Sequence, residues 1–334
     1  MRIGCLEEIH AIGDNATRFK ALAILRALYP NDTVIFYGRK NVAKMFFHSN
    51  VFDEFVNIEG WCLNHNGGGG GDLTYQLDIL LVFGEYRRKE TLKLVSEFKA
   101  KRIILPFSLR TLFKKNYDNV FYHQWHKHRE VWRSVQLVRH INKKHFDENA
   151  PKLDLHKFKL FTLKEHKDYV DSFFAQHKAY KFIVGVNAFG NTLYKFSPQD
   201  FADLARNLAQ KYQSVLFVMM SFKTNTIAFK PFVEKNLIIF ENNDEIMNLV
   251  EFTSRLDMLI SPDTGNVHIA DICKVPILEC MQKKVRLKWG GGSWHNECKI
   301  LGFNSCFIKK YTTLKDKFAK MADEMIIKLT RQKF

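Results

Sequence analysis

The chain has 334 residues, 46% of them apolar and 26% charged, which suits a folded protein of two ordinary domains and excludes a disordered one. Its 51 lysines and arginines against 35 acids leave a formal charge of +16, which favours an anionic partner: nucleic acid, a membrane surface or a phosphorylated substrate. No apolar run approaches the ~20 residues that cross a bilayer, and acids interrupt the opening MRIGCLEEIHAIGD before a secretory leader can develop, so a soluble, cytoplasmic protein is expected.

In chain order, 1–6 reads as a strand, Ile12-Gly13-Asp14-Asn15 as a turn, and 16–29 as a helix with Phe19, Leu22, Ala23 and Leu25 on its apolar face. Asp14 or Asn15 would cap that helix. Pro30-Asn31-Asp32 then turns the chain into a strand at 33–37. The run NHNGGGGGD at 64–72 is read as a flexible surface loop. Consecutive glycines hold neither helix nor strand cheaply, and a phosphate loop would need a helix start and a Lys-Ser/Thr pair. A buried strand is expected at 77–83, a basic helix at 87–99 and a strand at 102–106.

The stretch 110–145 interleaves basic residues with aromatics, and 145–178 is charged and mixed, which places the domain junction there. The expected domains are 1–165 and 166–334, with the last helix free to pack back on the first. Strands follow at 181–186, 214–220, 236–240, 256–260 and 275–280. Between the first two, a helix at 199–212 puts Phe201, Leu204, Ala205, Leu208 and Tyr212 on one face. This alternation implies two α/β domains, each a doubly wound parallel sheet, with a ligand cleft between them.

Ligands of such sheets lodge beyond the carboxyl ends of the strands. Two polar clusters fall there: Ile12-Gly13-Asp14 after the first strand, and Asp263-Thr264-Gly265-Asn266-Val267-His268 after Leu256–Ile260. Their acids are expected to face each other across the cleft. By residue chemistry alone Asp14 is better read as a helix cap, and His268 as a satisfied helix histidine. The six cysteines form no C-x-x-C pair, and His295, Cys298 and Cys306 match no common zinc spacing, so reduced thiols and no metal are expected.

Three separated motifs resemble glycosyltransferase family 9, the lipopolysaccharide heptosyltransferases. Asp263-Thr264-Gly265-Asn266-Val267-His268-Ile269-Ala270 is similar to the family's D-T-G-x-x-H-x-A signature. Ala11-Ile12-Gly13-Asp14, followed by Ala21-Leu22 and Tyr29-Pro30, resembles its opening strand, small-apolar-Gly-Asp and helix. Lys195-Phe196-Ser197-Pro198 is similar to its Lys-x-Trp-Pro segment, with Phe196 or Ser197 in place of the tryptophan. The resemblance spans residues 1 to about 280 and is thin between 40 and 175.

What the resemblance implies is a GT-B fold of two Rossmann-like domains and an inverting, metal-independent transferase without a cofactor. Its donor would be a nucleotide-sugar, ADP-heptose by family habit. Its acceptor would be the lipid-linked anionic saccharide of a lipopolysaccharide core at the inner face of the cytoplasmic membrane, with no nucleic-acid partner. Asp14 would be the general base. Gly190, Asn191, Lys195, Asp263, Thr264, Gly265, Asn266 and His268 would hold the donor, the helix amides and Lys195 gripping its diphosphate. Gly13, Asn15, Arg18, Lys114, Lys115, His126, Lys127 and Arg129 would meet the acceptor.

After the fifth strand the family usually continues with a Phe-Gly-Pro-Thr-like segment. Here the chain runs Leu278-Glu279-Cys280-Met281-Gln282-Lys283-Lys284 and then KWGGGSWHNECKI at 288–300, so the donor sugar is the least constrained part of the assignment. Two other functions fit the same residues: a non-enzymatic nucleic-acid binder acting through 110–145, and a nucleotide-sugar epimerase on the same scaffold.

Overall fold

The computed structural model describes residues 1–59, 73, 75–84, 89–121, 127–190, 196–222, 234–294, 297–304 and 311–333. The glycine run at 67–71 lies outside them, as do Asn191, Lys195, His126, His295 and Cys306. The chain folds as two compact units, Met1–Phe161 and Thr162–Phe334.

The first unit holds β1 (Arg2–Leu6), β2 (Thr33–Gly38), β3 (Glu54–Asn57), β4 (Leu77–Val82), β5 (Ala100–Pro106) and β6 (Tyr117–Val120). They form one parallel sheet in the order β3-β2-β1-β4-β5-β6. Its helices are α1 (Ile12–Leu28), α2 (Lys40–Ala43), α3 (Lys89–Glu97), α4 (Arg129–Arg139) and α5 (Lys143–Asn149). Strands such as β4 (LDILLV) are almost continuously apolar because helices cover both faces of a parallel sheet. The short strands β3 (EFVN) and β6 (YDNV) carry no such run. They are edge strands, completed by pairing with a neighbour, and for that reason escape a sequence reading.

The second unit repeats the plan with β7 (Phe182–Asn187), β8 (Val215–Phe222), β9 (Leu237–Asn242), β10 (Met258–Pro262), β11 (Ile277–Gln282) and β12 (Cys298–Phe303). All pairings are parallel and the order is β12-β11-β10-β7-β8-β9. Its helices are α6 (Lys164–Phe174), α7 (Pro198–Lys211), α8 (Ile246–Ser254), α9 (Gly265–Ile272), α10 (Lys283–Trp289) and α11 (Tyr311–Lys333). Helix α7 opens on a capping box, in which Ser197 and Asp200 each accept the other's backbone N–H.

Two expectations need correction. The residues 12–15, read as a turn, are the first turn of α1. The cap position falls on Ala11, in extended conformation and without a side-chain hydrogen bond. The last helix, α11, packs within the second unit: Phe318, Ala322, Met325 and Ile326 are buried with Phe196, Phe201 and Phe303. Its apolar stripe finds its partner on α7 and the sheet edge beside it.

In each unit the strand order reverses once, between β1 and β4 in the first and between β7 and β10 in the second. Such a reversal leaves a crevice at the carboxyl ends of the two strands, where open α/β sheets bind ligands.

Candidate functional site

At the first unit's switch point the chain leaves β1 into Glu7, which is fully buried. A carboxylate tolerates that only when paired, and here Arg18 Nε donates to Glu7 Oε2 at 2.6 Å. Glu7 Oε1 accepts the Ile9 N–H at 3.0 Å. Arg18 is itself without solvent exposure, and its Nη1 reaches Ser134 Oγ at 3.1 Å and Glu130 Oε2 at 3.5 Å on α4. Arg133 joins Glu130 at 2.9 Å and donates to the Phe83 carbonyl, just past β4, at 2.8 Å. Burial by itself pulls the Arg18 pKa down, but the charges of Glu7, Glu130 and Asp14 more than reverse it, and the net direction is up. Arg18 therefore remains a cation.

Asp14 sits in the first turn of α1, half-buried, with the cap position already taken by Ala11. The capping role left open by the sequence is thus excluded. Asn15 is fully buried, and its amide donates to the carbonyls of Ile9 at 2.7 Å and Ala11 at 3.0 Å, which fixes the entry to the helix. Arg18 and Asn15 were expected at an acceptor. Burial and internal partners exclude both from touching one, and they instead support the loop beside Asp14. Gly13 lies half-buried in the same helical turn.

The remaining basic candidates are dispersed. Arg129 opens α4, the helix that packs on α1, and Lys127 lies two residues before it. Lys114 and Lys115 are exposed on the connection before β6, three strand positions away from β1, or about 14 Å at the usual spacing. His126 lies outside the described residues.

At the second unit's switch point, the segment after β7 meets the segment after β10. Asn187 Nδ2 donates to Thr264 Oγ1 at 3.1 Å and to Ser261 Oγ at 3.3 Å, and its Oδ1 accepts the Phe189 N–H. Gly190 passes so close that a Cβ there would lie 2.9 Å from Pro262 Cγ and 3.1 Å from Thr264 Cγ2. Only glycine fits that approach. Thr264 occupies the cap position of α9, but its hydroxyl is engaged by Asn187 and makes no cap bond. Among the described residues the N–H groups of Gly265 and Asn266 find no acceptor at the positive end of α9.

The Asn266 side chain points inward: its Oδ1 accepts from Thr253 Oγ1 at 2.9 Å and its amide faces Met220 Sδ. The contact expected of Asn266 is its backbone N–H, which this inward turn of the side chain leaves unchanged. His268 is nearly buried and meets the edge of Trp289 with ring centroids 6.2 Å apart. Asp263 is half-buried, its carboxylate bonded to no described residue, and burial pushes its pKa up to about 6.

The segment that departs from the family motif forms a latch behind this loop. Asp271 of α9 accepts the Ser293 N–H at 2.8 Å, the Ser293 hydroxyl at 2.6 Å and the Trp294 N–H at 3.2 Å. Gly292 adopts φ 88°, open only to glycine at little cost. Glu279 on β11 is fully buried. Its Oε2 accepts the Gly291 N–H at 3.1 Å, while Oε1 has no partner among the described residues. Burial first, then the Asp263 and Asp271 charges, push its pKa well above the usual carboxylate range, which favours the protonated form. The sequence reading missed Glu7, Asn187, Asp271 and Glu279. For the three acids the available signal was an acid inside or just beyond an apolar run.

By sequence the chain matches no family model and no curated protein. Its structure resembles the glycosyl transferase family 9 protein of Veillonella parvula, with a TM-score of 0.75 at 16% identity over 98% of this chain and 97% of that one. It also resembles the Escherichia coli ADP-heptose lipopolysaccharide heptosyltransferase II (TM-score 0.66, 13% identity, 97% and 100% covered). A third likeness is to the E. coli heptosyltransferase WaaC with ADP (TM-score 0.66, 12% identity, 98% and 100% covered). The fold is that of the GT-B glycosyltransferases.

Proposed function

We propose that this chain is an inverting glycosyltransferase that moves a heptose or related sugar from a nucleoside diphosphate to a hydroxyl of a lipid-linked, anionic saccharide. The observation that carries the reading is the N-terminal end of α9 at the second switch point. Two N–H groups there that donate to no described residue, beside the close approach of Gly190, support a cradle for a diphosphate. ADP-heptose is the proposed donor, because two of the similar structures are named for ADP-heptose or hold ADP. Lys195 is proposed to place its charge on the same diphosphate.

Asp14 is assigned as the base. Its carboxylate, in the first turn of a helix whose dipole favours negative charge, takes the proton of the acceptor hydroxyl. The hydroxyl oxygen bonds to the anomeric carbon as the bond from that carbon to the diphosphate oxygen breaks. The departing charge falls on the α9 amides and Lys195. Asp263, with its raised pKa, can take up a proton beside the phosphates instead of repelling them. No metal enters this scheme. The proposed location is the cytoplasmic face of the membrane that holds the acceptor.

A thermal-shift series with ADP-, UDP- and GDP-sugars tests the donor site directly. The reading expects an upward shift with one nucleoside diphosphate sugar and a smaller one with its mononucleotide. No shift with any of them would overturn it.

A further inference from the structure

We propose that the β6 edge of the first unit docks on an anionic lipid bilayer, through Leu109, Phe113 and Phe121 set among Arg110, Lys114 and Lys115. The connection from β5 to β6 is built inside out for a soluble surface. Its small polar residues face inward: Asn119 Oδ1 accepts from the Ser108 N–H at 3.1 Å and from Thr111 Oγ1 at 2.6 Å, and Asn119 Nδ2 donates to the Thr111 carbonyl. Two tight turns, Thr111 N–H to Ser108 O and Lys114 N–H to Thr111 O, stiffen the segment. Its large apolar residues face water. Phe113 is 94% exposed, Leu109 75% and Phe121 70%, and Phe121 stacks on Phe107 at 4.1 Å. Isolated exposed leucines are ordinary, but a cluster of this kind on an ordered frame marks a contact surface.

Charge selects the occupant. From Lys99 to Arg129 the sequence holds eight lysines and arginines and one acid, Asp118. That acid is paired with Arg102. A basic rim around exposed Leu and Phe is the chemistry of interfacial anchors, whose apolar groups enter the headgroup boundary while the cations meet anionic lipids. A nucleic-acid groove would want flat faces for its bases, and leucine offers none. Neither Asp14 nor the α9 cradle enters this inference, so it stands or falls apart from the transferase reading.

The test is co-sedimentation of the full chain with vesicles of phosphatidylcholine alone, or of phosphatidylcholine mixed with phosphatidylglycerol, at low and at physiological salt. The wild type is expected to bind the mixed vesicles and not the neutral ones. Leu109→Ser with Phe113→Ser is expected to weaken that binding at least about tenfold while keeping the melting temperature, since neither side chain packs in the core. Wild-type protein left in the supernatant with anionic vesicles overturns the proposal. A double variant that binds like the wild type does so too, by reducing the attraction to diffuse charge. So does a single-stranded oligonucleotide whose binding the variant abolishes, or a dimer in solution that the variant dissolves.

Discussion

Arg18 Nε lies 2.6 Å from Glu7 Oε2, and neither side chain reaches solvent. This pair joins the end of β1 to α1, and through Glu130 and Ser134 it joins both to α4. A buried pair of this kind stabilises little relative to apolar packing, yet removal of one member strands the other. Arg18→Met leaves two buried acids facing each other, and a loss of about 3–5 kcal/mol in unfolding free energy is expected from urea titration. Glu7→Gln combined with Arg18→Met is expected to cost less than the two single changes added together. A strictly additive cycle would show that the pair is not coupled.

Asp14 supplies the proton acceptor in the proposed transfer, and Asn matches its size without accepting a proton at neutral pH. Asp14→Asn is therefore expected to lower kcat by about 100- to 10,000-fold, with the thermal shift given by the nucleotide-sugar unchanged. Because Asp14 does not occupy the cap position, no large stability loss should accompany the change. Turnover within a few fold of wild type would remove Asp14 from the chemistry.

Asp263 carries the pH dependence. Its folded-state pKa of about 6 lies above the ordinary 3.8, so the folded state holds this proton more tightly than the unfolded chain does. The associated stability is present at pH below about 4 and is lost as pH rises through 6, by at most about 3 kcal/mol. Asp263→Asn should flatten that fall in a series of unfolding titrations from pH 4 to 7. In wild type, nucleoside diphosphate binding near pH 7 should take up protons, measured by calorimetry in buffers of different ionisation enthalpy. Equal heats in all buffers would contradict the neutralisation of Asp263.

Burial favours the protonated form of Glu279, so Glu279→Gln should leave stability at pH 7 unchanged or slightly higher. Glu279→Ala removes the acceptor of the Gly291 N–H and opens a void in the core. A loss of about 2–4 kcal/mol is expected from denaturant unfolding. If Gln costs as much as Ala, the carboxyl is ionised in the fold and its assignment to the protonated form is wrong.

Much of the architecture is legible in the chain itself. The apolar runs at 77–83, 214–220 and 256–260 and the amphipathic helix at 199–212 sit at or within a residue or two of β4, β8, β10 and α7. Strand and helix periodicity depends on neighbours a few residues apart, which a sequence displays directly. The same holds for the Asp14 and Asp263–His268 clusters, which fall at strand ends and so at the switch points that the sheet order creates.

Which polar residues near those clusters turn inward was decided by the tertiary structure. Arg18, Asn15 and Asn266 share a motif's neighbourhood with Asp14 and Asp263, yet each turns inward to partners that only folding supplies. Glu130 lies 112 residues after Arg18, and Thr253 lies 13 before Asn266. The alternation of apolar and polar residues determined two doubly wound units and put an acid at the mouth of each. Burial of charge depends on groups distant in the chain and adjacent in space, so the inward pairing of Glu7 with Arg18 and the raised pKa of Glu279 came only with the packed fold.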